Sequence, residues 1–73
     1  MTNTEITNIF TYHAPAGDQA RRYTEIRDKA RELAMLVQGA CPESREKSLA
    51  LTSLQQTVMW ANASIAINEK NSA

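Results

Sequence analysis

Cysteine is almost missing from this sequence: Cys41 stands alone among 73 residues, so no internal disulfide can staple the fold. Histidine is as scarce, and His13 with one thiol supplies too few ligands for a structural zinc site. Net charge is absent too. Eight Lys and Arg balance eight Asp and Glu, so no overall field favours long nucleic acid or an anionic membrane. No run approaches the roughly 18 to 20 apolar residues of a membrane span, and MTNTEITNIF lacks the basic start and apolar core of a secretory signal. These absences give a soluble, cytoplasmic reading. Catalytic signatures are also lacking: there is no GxSxG, P-loop or HExxH, and a histidine-based dyad would need several subunits. The chain therefore reads as a non-enzyme with no metal and no cofactor.

What is present is helical period. Tyr23, Ile26, Ala30, Leu33, Val37 and Ala40 recur at alternating intervals of three and four. Asp18 is placed as an N-cap after Ala14-Pro15-Ala16-Gly17, and Gly39 followed by Cys41-Pro42 marks the stop, giving a first long helix over 18–40. Leu51, Leu54, Val58, Ala61 and Ile65 repeat the spacing and predict a second long helix over 43–68, opening near Pro42. Two matched seams and a short connection pack as an antiparallel hairpin. In the 1–17 segment, Thr2-x-x-Glu5 has the form of a capping box ahead of Ile6, Ile9 and Phe10, so a short N-terminal helix is expected. The tail 69–73 has nothing to bury and is expected to fray. The fold class is all-α, a single domain over 1–73.

The segment Val58-Met59-Trp60-Ala61-Asn62-Ala63-Ser64-Ile65-Ala66-Ile67 is apolar on nearly every side, more than a two-helix protein can cover. A homo-oligomer follows. Trp60 suits an interface anchor, and Asn62 needs a buried partner that a neighbouring helix would supply.

Candidate ligand contacts cluster before and along the first long helix. Phe10, Tyr12 and His13 precede a helix bearing Arg21, Arg22, Arg27, Lys29 and Arg31, and aromatic faces beside guanidinium groups suit a nucleotide. Capping of the hairpin core by Phe10 and Tyr12 is the competing reading. Asp18 with Arg22, Arg21 with Glu25 and Glu25 with Lys29 are spaced as local ion pairs. Arg27 and Arg31 are like charges four apart, open either to a ligand phosphate or to Glu43 or Glu46 of another subunit.

The series YHAPAGDQARRYTEIRDKARELA, then CPESREKSLALTSLQQTVMWANASIAIN, resembles the hairpin domain of phage proteins that sequester cyclic nucleotides, the anti-CBASS sponges, a domain shared with the anti-Thoeris sponges. The likeness covers residues 10 to 68 and rests on Tyr23-x-x-Ile26-Arg27, SREKSLALTSL and MWANASIA. It implies a small helical subunit assembled into a hexamer in the cytoplasm of an infected bacterium. Cyclic dinucleotides such as cyclic GMP-AMP would be held intact between protomers, which keeps CBASS effectors silent. By the same resemblance Tyr12 stacks on a base and Arg27 contacts phosphate, with Lys29 or Arg31 as alternatives, while His13 and Pro15 shape the pocket wall. Some members also bind cyclic trinucleotides at a separate site. Anti-Thoeris members carry a further domain after the hairpin, which a chain of this length is not expected to hold. A helical interaction module without nucleotide binding is the other reading.

Overall fold

A computed structural model describes residues 1–69, and these form three helices: α1 (Asn3–Ile9), α2 (Gln19–Ala40) and α3 (Arg45–Asn68). No strand occurs among the described residues. The capping box acts as its sequence implies. Thr2 is the N-cap of α1, its Oγ1 accepting from the Glu5 backbone N–H at 3.0 Å while its hydroxyl donates to Glu5 Oε1 at 3.2 Å.

Asp18 occupies the N-cap of α2, but its side chain makes no capping bond. Two arginines one turn on take the carboxylate instead, Arg21 at 3.2 Å and Arg22 at 3.0 Å. Gly17 just before it has φ +57°, a left-handed conformation that costs glycine little and turns the loop into the helix. At the other end Gly39 stays helical, and α2 runs on to Ala40. Pro42 sets the stop, because the residue before a proline is pushed out of the helical region, and Cys41 is extended at φ −106°, ψ 139°.

The second long helix begins later than 43. Ser44 is its N-cap, with Oγ accepting from Lys47 N–H at 3.1 Å, so helical geometry starts at Arg45. Pro42 thus lies in the connection and not in the helix.

Helices α2 and α3 pack antiparallel along the expected seams. Tyr23, Ile26, Ala30 and Val37 of α2 are half-buried, as are Leu51, Leu54, Val58, Ala61 and Ile65 of α3. None of these is fully buried. The only buried side chains among the described residues are polar, Gln19 and Lys47, one at each end of the hairpin.

The shape explains this. Principal extents are 47 × 28 × 12 Å, so the molecule is about one helix thick. The radius of gyration is 15.6 Å, against about 11 Å for a compact domain of this length. Accessible surface is 5889 Å², where a folded monomer of this mass exposes about 4,500 Å². A single layer of helix can half-bury its seam and no more. Leu33, Met35, Leu36, Leu49, Met59 and Trp60 stand exposed, Trp60 at 74%.

Polar bonds close the two ends. At the turn, Lys47 Nζ donates to the Gln38 carbonyl at 2.8 Å and to Glu43 Oε1 at 2.6 Å, which satisfies one of the free carbonyls at the end of α2. At the open end, Arg22 grips Glu69. Helix α1 is tied to the same end by Asn8 Nδ2, which donates to the Ile67 carbonyl at 2.9 Å. Glu69, expected to fray, is therefore held; the remaining tail residues, 70–73, lie outside the described residues.

Candidate functional site

The hairpin, being one layer thick, presents two opposite faces, each with a groove between α2 and α3. One groove, about 640 Å³, runs between Arg22, Ile26, Lys29 and Leu33 on α2 and Thr57 and Ile65 on α3. The other, about 430 Å³, runs between Arg27, Arg31 and Ala34 on α2 and Leu51, Gln55 and Met59 on α3. Helical spacing dictates this division. Arg27 and Arg31 are one turn apart and share a face, while Lys29, at 200° from Arg27, points across the hairpin. The three basic candidates are thus not equivalent: two line one groove and the third lines its opposite.

Their partners differ as well. Among the described residues Arg21 pairs with Asp18 and Glu25, Arg22 with Asp18 and Glu69, Lys29 with Glu32 at 3.4 Å and Arg31 with Asp28 at 3.6 Å. The expected Glu25–Lys29 pair is absent: Glu25 takes Arg21 and Lys29 turns forward to Glu32. Arg27 alone of the five has no carboxylate partner there. It is exposed and beside an apolar groove floor of Ala30, Ala34 and Val58. Glu43, offered as a partner for it across subunits, is engaged by Lys47 within the chain.

Tyr12 sits in the non-helical segment between α1 and α2 and is 83% exposed, as is Phe10. Neither aromatic caps the hairpin core of its own chain. Pro15 is exposed in the same segment, and His13 is half-buried with Nε2 donating to the Asn8 carbonyl at 2.7 Å. Tyr12 does not line the Arg27 groove, and from Gln19 to Arg27 the helix rises about 12 Å. One chain therefore brings Arg27 and Arg31 together and leaves Tyr12 apart from them.

Asn62 lies on α3 one turn beyond Val58, and its Oδ1 is buried without a hydrogen-bond partner. An amide oxygen left unpaired costs about 1–3 kcal/mol, so the half-buried apolar stretch carries a polar group awaiting a donor.

The strongest electrostatic feature is at the open end. Arg22 Nη1 and Nη2 each donate to a Glu69 carboxylate oxygen at 2.6 Å, Gln19 Nε2 donates to the same carboxylate at 3.0 Å, and Arg22 Nε donates to Asp18 at 3.1 Å. The Arg22 hydrogen bond, then that of Gln19, holds the Glu69 carboxyl down to about 2, and Arg22 is held still more firmly protonated than usual. Sequence reading missed Asn8, Gln19 and Glu69, which bond over 59 and 50 residues of sequence, because their partners lie at the far end of the chain.

Among the described residues no three His, Cys, Asp or Glu side chains gather as metal ligands, and no helix is long and apolar enough to cross a membrane. No curated protein and no solved structure matches the chain. The family model described as "Acb2/Tad1, hairpin domain" matches residues 2–66, nearly the whole length and both long helices. The chain belongs to the Acb2/Tad1 hairpin-domain family, that of the phage anti-CBASS and anti-Thoeris sponges.

Proposed function

We propose that this protein is a non-catalytic sponge that binds cyclic dinucleotides intact and so keeps CBASS effectors from firing. The single observation that carries the reading is Arg27, a guanidinium with no carboxylate partner among the described residues, beside Arg31 and an apolar groove. A phosphate there forms charge-assisted hydrogen bonds of about 1.5–3 kcal/mol each. A base stacked on an exposed Tyr12 adds about 1–3 kcal/mol. Because one chain keeps these residues apart, the site is completed by Tyr12 of one protomer and Arg27 of another.

The homo-oligomer this requires has its own support. The surface exceeds that of a compact monomer by about 1,400 Å², on the scale of a standard interface. Apolar side chains stand on both hairpin faces, as with Leu33 and Met59, and Trp60 stands apart from the seam. One two-fold contact covers one such patch only, so each protomer meets more than one neighbour, as in a closed hexamer.

The test is chromatography of cyclic GMP-AMP after incubation with the protein, before and after heating. Free ligand that disappears and returns unchanged supports sequestration. Linear products would make the protein a phosphodiesterase. The exposed Trp60, a typical anchor of protein interfaces, favours a second reading, a helical interaction module without nucleotide binding. Ligand that never leaves solution would favour that reading.

A further inference from the structure

Residues 10–18, between α1 and α2, form neither helix nor strand, yet the segment is not left loose. Two hydrogen-bond routes tie down the part that follows Tyr12, one through His13 and one through Ala16. On the first, His13 Nε2 donates to the Asn8 carbonyl at 2.7 Å, and Asn8 Nδ2 donates in turn to the Ile67 carbonyl at 2.9 Å. On the second, the Ala16 N–H donates to Gln19 Oε1 at 3.0 Å, and Gln19 Nε2 donates to Glu69 Oε1 at 3.0 Å. Both routes end in the final turn of α3 and the residue that caps it. The middle member of the second, Gln19, is 3% exposed.

We infer that Asn8, His13, Gln19 and Glu69 are positioning residues that hold the Tyr12 segment in its ligand-ready shape, using the end of α3 as their anchor. The inference rests on the reading of Tyr12 as the stacking residue. None of the four needs to touch ligand. Apart from the half-buried His13 the side chains of residues 10–18 are exposed and pack against little, so hydrogen bonds to fixed carbonyl and carboxylate groups decide how often Tyr12 is in place. A ligand that binds only the ordered segment loses apparent affinity in proportion to the fraction ordered. Gln19 is suited to the task because its amide uses both ends at once, the oxygen toward the loop and the nitrogen toward Glu69.

That polarity supplies the experiment. Gln19→Glu keeps the acceptor for Ala16 but sets a carboxylate against Glu69, while Gln19→Glu combined with Glu69→Gln restores one donor facing one acceptor. Affinity for cyclic GMP-AMP is measured by calorimetry on the full chain, with Tyr12→Ala and Asn8→Ala alongside, and amide hydrogen exchange at Thr11–Ala16 is followed without ligand. The expected result is an affinity on the order of tenfold weaker for Asn8→Ala and for Gln19→Glu, with faster exchange at Ala16. Recovery of both in the double variant, at unchanged assembly mass, completes the support. Wild-type affinity in Asn8→Ala and Gln19→Glu, with Tyr12→Ala still abolishing binding, overturns the positioning role alone. Binding that survives Tyr12→Ala overturns the site reading and the positioning role with it.

Discussion

Arg22 and Glu69, 47 residues apart in sequence, meet as a bidentate pair with both nitrogen–oxygen distances at 2.6 Å. The pair bolts the first turns of α2 to the residue that ends α3, and Gln19 donates a third bond to the same carboxylate. Its pH dependence follows from the Glu69 carboxyl, lowered from 4.5 to about 2. The folded form binds this proton less readily than the unfolded chain, so the contribution is complete above about 4.5 and is lost as pH falls toward 2. Thermal melts followed by circular dichroism should show the midpoint falling through that window. In Glu69→Gln the midpoint should be lower at neutral pH and fall less through the window; equal slopes for both proteins would remove Glu69 as the cause.

Much of this architecture is local and therefore legible in sequence. Intervals of three and four between Tyr23 and Ala40, and between Leu51 and Ile65, define one face of each helix whatever else the chain does. The Thr2–Glu5 box and the extended residue before Pro42 are likewise set by near neighbours. What stayed hidden depends on the hairpin being closed. Glu69 follows Asn68 in a polar run, and nothing near it signals a partner beyond residue 18. Lys47 has the look of a solvated lysine until the turn folds the Gln38 carbonyl over it. Glu25 and Glu32 are both within reach of Lys29 at helical spacing, so periodicity alone could not choose between them. Which groove each basic residue lines came only with the packed hairpin, which puts Arg27 and Arg31 on one and Lys29 on the other.

Removal of an apolar side chain at the exposed surface should disturb assembly before it disturbs helix formation. Trp60 is 74% exposed and touches little of its own chain, so a monomer gains nothing from it. Buried in a contact, a side chain of that size contributes about 1.5–3 kcal/mol or more. Trp60→Glu is expected to reduce the mass found by light scattering at micromolar concentration. It should also make the melting temperature strongly dependent on concentration, because no apolar side chain among the described residues is buried within the single chain. An unchanged mass would place Trp60 outside every subunit contact.

The turn end should be as sensitive as the open end but by a different route. Lys47 is 6% exposed and serves both the Gln38 carbonyl and Glu43, so Lys47→Ala strands a helix-terminal carbonyl and frees a carboxylate. A hydrogen bond from a charged donor contributes about 1.5–3 kcal/mol, and urea unfolding should show a loss of about that size. Lys47→Arg is expected to recover only part of it, since a planar guanidinium fits poorly where one compact ammonium meets both acceptors. Ser44, which caps α3 through the Lys47 backbone, should be unaffected by either change, so helix content is expected to persist.

Arg27 and Lys29 offer the sharpest division between ligand contact and solvated charge. They carry the same single positive charge and stand two residues apart in sequence on opposite grooves, so net-charge effects on an anionic ligand are the same for Arg27→Ala and Lys29→Ala. Only proximity separates them. Arg27 lacks a carboxylate partner among the described residues and lines the groove shared with Arg31, whereas Lys29 is paired with Glu32 on the opposite groove. Loss of one charge-assisted bond to phosphate, about 1.5–3 kcal/mol, corresponds to a roughly ten- to hundredfold loss of affinity for Arg27→Ala. Lys29→Ala is expected to stay within about twofold, the size of a screened surface charge. Calorimetry with cyclic GMP-AMP checks both. Equal losses in the two variants would mean that the helix attracts the ligand only through its overall charge, and the reverse order would move the phosphate site to the face of Lys29.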